Sequence, residues 1–377
     1  MSKLPYIQLL RAFAALCVVA FHAQSDAAAV AAGLGMEFAR SELFPWLAGV
    51  DIFFVISGFI MVYASSRWFG SARAPRAFLA HRIARIVPLY WATTIAYLVV
   101  LLVTPGLLNS EYLAPYFVLA SFLFIPAARP DGLVQPFYSL GWTLNYEMFF
   151  YCLFAICLAF PLRRAVPILL GALMLIVSLG KAFAPFPPPL AFWTDPIILE
   201  FAFGVALGWA SVEGFFFRRP IRLGLALAGL VLLAIDLTRP GVLPALPRPL
   251  AFGVPAALLV ASAGLVSSPS RRSENLLVRG GVILGDASYA LYLLHPFVIR
   301  ALRELAMRTP IGGLADPWGF VMVAVLLAVA AAAVVNRIFE RPVTRAARQL
   351  LAPAANPSLG SFAGEHKIAR EHSARSS

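Results

Sequence analysis

Residues 7–24 read IQLLRAFAALCVVAFHAQ, an apolar stretch long enough to cross a bilayer that nevertheless contains Arg11 and His22. A guanidinium at the centre of a membrane helix costs roughly 2.5–3.5 kcal/mol on insertion scales, so an ionisable residue at this depth indicates function. The spacing of eleven residues turns a helix by three full turns plus about 20°, which puts both side chains on one face, about 16 Å apart. The stretch predicts a membrane helix with a cation and a titratable base at two depths.

The composition of the whole chain is that of a polytopic membrane protein. The 377 residues are 61% hydrophobic and 13% charged, with a mean hydropathy of +0.83, whereas soluble domains have about 25% charged residues. The net charge of +12 does not indicate nucleic-acid binding, because the basic residues fall in short loops and form no single face. The three cysteines lie in apolar runs without zinc-like spacing, so we expect neither disulfides nor a metal site.

Ten hydrophobic stretches are long enough to span a membrane. They lie at about 6–25, 46–65, 84–104, 138–160, 165–183, 193–212, 222–237, 249–267, 286–302 and 318–339. A shorter apolar stretch at 112–126 predicts an interfacial or re-entrant segment. Because Arg11 interrupts the first stretch, we expect a retained helix and not a cleaved signal peptide.

The distribution of basic residues predicts the orientation. With the N-terminus inside, most of the 30 Lys and Arg residues fall in inner loops and the C-terminal tail, which is the bias expected of cytoplasmic segments. We therefore predict an all-α integral membrane protein with about ten transmembrane helices and both termini cytoplasmic. Residues 1–345 form the membrane domain, and residues 346–377 form a polar, disordered tail.

Asp51 lies in the second hydrophobic stretch, within the sequence GVDIFFVISGF at 49–59 that also contains Ser57. In the predicted topology it enters from the outer side, at a depth similar to that of His22. A carboxylate beside an imidazole fixes its tautomer and raises its basicity, so Asp51 is a candidate orienting partner for His22. The alternative is that Asp51 only caps its helix.

Two further stretches carry polar side chains on one face. Glu147 lies in SLGWTLNYEMFFY at 139–151 and shares a helical face with Thr143 and Tyr151, four positions away on each side. It is either a functional carboxylate or a structural partner of Arg11 or another buried cation. Ser288, Tyr292 and His295 follow at i, i+4 and i+7, a polar face that must point into the bundle. The alternative for His295 is a core histidine satisfied by Tyr292.

Arg82 and Arg85 lie three residues apart at the inner edge of the third stretch, in RAPRAFLAHRIARIVPLY at 73–90. Arginine binds phosphate in a bidentate manner, so this pair fits a nucleotide-bearing donor on the cytoplasmic side. For other arginines of this loop, a purely topological role is the stronger interpretation.

These motifs, in this order, resemble the membrane acyltransferase 3 family over residues 5–345. The motifs are Arg11-x10-His22, the 49–59 block, Arg82-x2-Arg85-x2-Pro88-x-Tyr90, the 142–147 block and the 288–295 block. Residues 141–151 also resemble the subgroup involved in exopolysaccharide acetylation. The resemblance implies a multi-pass enzyme of the bacterial inner (cytoplasmic) membrane, surrounded by lipid. It implies an acyl-CoA co-substrate, usually acetyl-CoA, without a permanently bound cofactor, and an acceptor that is a polysaccharide or lipid-linked oligosaccharide.

The resemblance also implies roles for individual residues. Arg11 and His22 match a pair that is regarded as essential in the family, and Arg82 and Arg85 match its arginine pair. We expect donor binding by Arg11, Arg82, Arg85 and Tyr90, and catalysis by His22, Asp51, Glu147 and His295. Further site residues are Ser57, Trp142, Asn145, Ser288 and Tyr292.

A carrier or exporter of a polysaccharide or its lipid-linked precursor, without acyl-transfer chemistry, is the alternative function. A bundle of ten membrane helices with intramembrane charges would serve such a protein as well. The sequence shows no internal repeat of the kind found in secondary transporters, which counts against this alternative.

Overall fold

The computed structural model describes residues 4–104, 112–235, 241, 245–267, 275–309 and 316–351, and most of these residues lie in helices. The β pairing in the described residues is limited to one isolated bridge, Ala128 with Val134. The helices are α1 (Pro5–Gly33), α2 (Ala48–Ser65), α3 (Ala74–Val103), α4 (Pro115–Phe122), α5 (Trp142–Cys157), α6 (Leu162–Phe183), α7 (Pro188–Trp193), α8 (Leu199–Val212), α9 (Arg219–Leu233), α10 (Val254–Gly264), α11 (Leu276–Asp286), α12 (Ser288–Arg308), α13 (Pro317–Val335) and α14 (Arg341–Leu351).

A helix lies in each of the ten predicted stretches, which confirms an all-α, multi-pass architecture. Among the described residues, six segments are long and apolar enough to cross a membrane. These segments are α1, α2, α3, α6, Pro188–Val212 and Pro317–Leu351. The pair α11–α12, bent by 74°, makes a seventh if it is counted as one span. The other three stretches hold the shorter helices α5, α9 and α10, so length and composition give six or seven candidate spans where ten were predicted.

Helix α11 lies outside the ten predicted stretches and packs across the start of α1. Gly281 faces Leu9, and a Cβ atom on Gly285 would overlap the backbone oxygen of Gln8, so the two helices touch backbone to backbone. The hydropathy pattern missed this helix because it is short and carries Arg279. The sharp bend that follows starts α12 directly beside α1.

Helix α2 lies at the centre of the bundle, in contact with α1, α5, α8 and α10. Its contact with α8 depends on glycine at both surfaces. A Cβ atom on Gly58 would overlap the carbonyl oxygen of Phe201, and one on Gly204 would overlap that of Val55. Small residues allow such close backbone approach in membranes, where helix association rests on packing.

The short apolar stretch at 112–126 holds only the eight-residue helix α4. At the other end of the chain, α13 continues through a π-helical turn, Asn336–Glu340, into α14. Helix α14 packs against α3. The predicted tail, 346–377, thus begins inside α14, and residues 352–377 lie outside the described residues.

We expect Gly204→Ala to lower the melting temperature of the purified protein in detergent. The added methyl group must displace the α2 backbone, and overpacking of this kind costs about 1–3 kcal/mol. Gly171→Ala on α6 is the matched control, because a Cβ atom there meets no atom within 4 Å. Equal melting temperatures for the two variants would contradict the close α2–α8 contact.

Candidate functional site

A cavity of about 120 Å³ lies where α1, α2, α3, α5 and α12 meet. Its charged lining residues are Arg11, Arg82, Arg85 and Glu147. The structure therefore brings one charged residue from α1, two from α3 and one from α5 to a single place. Other polar lining residues are Ser57, Thr143, Tyr151, Ser288, Tyr289 and Tyr292.

Arg11 connects α1 to the first turn of α12. One Nη atom donates a hydrogen bond of 2.9 Å to the hydroxyl of Ser288, which is fully buried. Three carboxylates, those of Glu147, Asp286 and Glu340, lie close enough to interact with this guanidinium electrostatically. Arg11 is thus stabilised inside the bundle by one hydroxyl and by surrounding negative charge.

Glu147 accepts hydrogen bonds from the hydroxyls of Ser57 and Tyr151. It also lies within electrostatic reach of Arg11 and Arg82. The structure therefore places Glu147 near Arg11 and Arg82 and not beside His22. These contacts fit the interpretation of Glu147 as a partner of buried cations.

Arg82 and Arg85 form no ion pair with a carboxylate in the part of the chain that the structure describes. The guanidinium of Arg82 lies over the ring of Phe78, 5.6 Å from its centroid. Its Nε atom is buried and has no hydrogen-bond partner among the described residues. A buried donor without a partner is unfavourable, so an anionic ligand at this position would stabilise it.

His22 and His295 lie together, with ring centroids 5.0 Å apart. His295 is fully buried, and its Nδ1 atom lies 3.1 Å from the carbonyl oxygen of Leu291. A carbonyl only accepts, so Nδ1 carries the proton in the neutral ring and Nε2 is left as an acceptor. That Nε2 atom has no partner in the described residues. Neither histidine lines the cavity.

Tyr292 lies beside both the cavity and His295. It lines the cavity, and its ring centroid is 6.3 Å from that of His295. Its hydroxyl donates to the carbonyl of Leu140 at 3.0 Å and lies 3.0 Å from the hydroxyl of Thr143. Among the described contacts, the Tyr292 hydroxyl therefore forms no hydrogen bond with His295, contrary to the alternative interpretation of His295.

Asp51 does not contact His22 by any hydrogen bond in the described residues, which corrects the predicted orienting role. Both carboxylate oxygens instead accept from the guanidinium of Arg248, at 2.9 and 3.1 Å. That guanidinium also lies over the ring of Trp142, 5.9 Å from its centroid. Sequence position did not predict the direction of the Asp51 side chain, which is set by Arg248, 197 residues away in the chain.

The carboxylate within electrostatic reach of His22 is that of Asp26, one helical turn further along α1. Asp26 accepts a hydrogen bond of 3.1 Å from Arg303 and has Arg300 at 4.0 Å. The sequence analysis missed Asp26, although its i+4 spacing from His22 was the available signal.

Glu200 on α8 is a second functional candidate that the sequence analysis missed. It is fully buried, its carboxyl group lies against that of Asp51, and no N–H or hydroxyl group donates to it in the described residues. The same rule that singled out Arg11, an ionisable residue in an apolar stretch, applies to Glu200. Asp51, Arg248 and Glu200 form a charged cluster beside a cleft.

That cleft has a volume of about 600 Å³. It lies beside the first turn of α2 and beside the helical turn Pro249–Gly253, which precedes α10. Phe21 and Gln24, which flank His22 in sequence, both line it, together with Asp51 and Arg248. The rest of the lining comes largely from residues 40–48, and it includes aromatic and charged side chains.

Like the two histidines and Asp51, the predicted site residues Tyr90 and Asn145 do not line the cavity. Tyr90 is fully buried, its hydroxyl donates to the carbonyl of Ser121 at 3.2 Å, and its ring packs against Phe124. The side chain of Asn145 is buried without a hydrogen-bond partner among the described residues. Neither lines the cavity, so Tyr90 is a packing residue in this structure.

Comparisons with known proteins identify the family of this chain. A family model described as an acyltransferase domain, acyltransferase 3, matches residues 4–337. The chain is 36% identical over 302 residues, 80% of its length, to the exopolysaccharide production protein ExoZ of Rhizobium meliloti, of which 90% is covered. It is 27% identical over 325 residues to the acyltransferase MdmB of Streptomyces mycarofaciens, with 79% of each chain covered. No solved structure matches. The chain belongs to the acyltransferase 3 family.

Proposed function

We propose that this protein transfers an acyl group, most simply acetyl, from cytoplasmic acyl-CoA to a hydroxyl group of an exopolysaccharide or its lipid-linked precursor. The observation that carries the proposal is the convergence of Arg11, Arg82 and Arg85 on one cavity. The acidic residue in the lining of this cavity is Glu147. The family membership supplies the class of reaction.

The donor site follows from the charge of the cavity. Three guanidinium groups repel one another strongly where water is scarce, and an anionic ligand relieves this repulsion. The phosphates of acyl-CoA fit, because arginine binds phosphate in a bidentate manner. A cavity of about 120 Å³ suits the narrow acyl-pantetheine arm and leaves the phosphates at Arg82 and Arg85.

The acceptor meets the donor at His22. Its imidazole removes the proton of an acceptor hydroxyl while the oxygen attacks the thioester carbonyl. The C–O bond of the ester forms, the C–S bond breaks, and the proton passes to the departing thiolate of CoA. The same balance holds if His22 first takes the acyl group and then delivers it, because imidazole is also a nucleophile.

The orientation of the protein gives this reaction a direction. We place ten spans in the bacterial inner membrane with both termini in the cytoplasm, as the loop charges indicate. Arg82 and Arg85 then lie at the inner side and His22 at the outer side. The cleft of about 600 Å³ beside Phe21 and Gln24 opens near that outer end and offers aromatic and charged groups to a sugar. The name of the relative ExoZ, an exopolysaccharide production protein, is consistent with such an acceptor.

We expect His22→Ala to abolish acetyl transfer from labelled acetyl-CoA, since the variant lacks the imidazole that removes the proton of the acceptor hydroxyl. The measurement is transfer by purified protein in detergent, with the elution profile in size exclusion as the check on folding. Ser25→Ala is the matched control on the same helix, because its hydroxyl bonds only to the backbone of Phe21 among the described residues. Full transfer by folded His22→Ala would contradict the role of His22. A wild-type protein that neither transfers nor hydrolyses the acetyl group would point to the carrier alternative.

We expect Arg85→Ala and Arg82→Ala each to raise the KM for acetyl-CoA by roughly tenfold or more, the size of one lost charge-assisted hydrogen bond. Arg76→Ala is the matched control, because this arginine lies on the same helix and is exposed. The check is steady-state kinetics at fixed acceptor. An unchanged KM for acetyl-CoA in both variants would rule out a phosphate-binding role for the pair.

A further inference from the structure

Helix α14 places one more arginine beside the donor site. Arg348 lies close enough to Arg85, Arg82 and His81 to interact with each of them electrostatically, since α14 packs against α3. The side chain of Arg348 is exposed at the surface, whereas Arg82 and Arg85 reach into the cavity. Four basic groups therefore meet where α14 crosses α3.

Negative charge is distributed unevenly among these groups. Glu147 lies within electrostatic reach of Arg82, and Glu340 lies within reach of Arg85. Arg348 has neither an ion pair nor a hydrogen bond to a carboxylate in the described part of the chain. By contrast, Arg341 on the same helix pairs with Asp286 at 3.5 Å. Arg348 is thus a cation held near other cations without an acidic partner.

The arginines form a series from the surface to the interior: Arg348 at the surface, then Arg82 and Arg85, then Arg11 deepest in the bundle. Neighbouring members interact electrostatically, as Arg348 does with Arg85 and Arg85 does with Arg11. Such a series of like charges favours a ligand with several negative groups distributed along its length.

We propose that Arg348 binds the phosphate on the ribose of acyl-CoA, while Arg82 and Arg85 bind its pyrophosphate. This inference rests on the proposed function. In acyl-CoA, the thioester and the ribose phosphate lie at opposite ends of an extended molecule. If the thioester enters past Arg11 toward His22, the ribose phosphate lies at the outermost cation of the series. Arg348 then determines the specificity for acyl-CoA over donors that lack this phosphate.

The test compares two ligands that differ only in this phosphate, CoA and dephospho-CoA, by equilibrium binding to the purified full chain. Wild type is expected to bind CoA roughly tenfold more tightly than dephospho-CoA, as one charge-assisted contact predicts. Arg348→Ala is expected to bind the two ligands equally, with its affinity for dephospho-CoA within about twofold of wild type. Arg345→Ala, which removes an exposed charge from the same helix, is expected to keep the wild-type preference. Arg348→Lys, which retains the charge, is expected to keep part of it.

Three results would overturn the inference. One is a wild-type preference that Arg348→Ala leaves unchanged, and another is an equal loss of affinity for both ligands, which would indicate a structural role. The third is an absence of CoA binding to wild type, which would overturn the proposed function as well. A protein that binds CoA and transfers acetyl groups, but shows either of the first two results, would leave the proposed function intact and refute only the role of Arg348.

Discussion

The burial of the Arg11 guanidinium is the constraint on which the arrangement of the bundle depends. A cation in an apolar helix must find partners inside the protein, because lipid offers none. Ser288 supplies one hydrogen bond, and it stands at the start of α12 because the chain bends by 74° between α11 and α12. Helix α11 in turn packs on the first turns of α1 through Gly281 and Gly285. The backbone contact between α1 and α11 and the hydrogen bond from Arg11 to Ser288 thus hold α1, α11 and α12 together.

The charges of the cavity are only partly balanced by the protein itself. Glu147 lines the cavity, and Glu340 lies near Arg11 and Arg85, yet the Nε atom of Arg82 has no partner in the described residues. A purely structural network would be expected to satisfy its buried donors, since each unsatisfied one costs about 1–3 kcal/mol. An excess of cations with an unsatisfied donor is typical of a site that a ligand completes.

The sequence predicted the positions of the helices better than the directions of their polar side chains. Hydropathy located a helix in all ten stretches. The intramembrane position of Arg11 and Glu147 and the close spacing of Arg82 and Arg85 selected four residues that the structure brings to one cavity. These features could not predict that Asp51 faces Arg248 and not His22, because that pair joins residues 197 apart in sequence. Rotation about a helix axis decides which neighbours meet, and tertiary packing sets this rotation. Length and composition give fewer than ten candidate spans because α5, α9 and α10 are shorter than a full span.

The distance between the arginines and the histidines favours acyl transfer over transport. Arg11 lines the cavity and His22 does not, so a ligand held by the arginines must extend about 16 Å along α1 to reach the imidazole. A long, thin acyl-pantetheine arm has this shape. A lipid-linked sugar is much wider than this arm, and the cavity beside Arg11 has a volume of only about 120 Å³. In the proposed reaction, the spacing of two polar residues on one helix separates the anchor of the donor from the atom that reacts, which a group-transfer enzyme requires and a carrier does not.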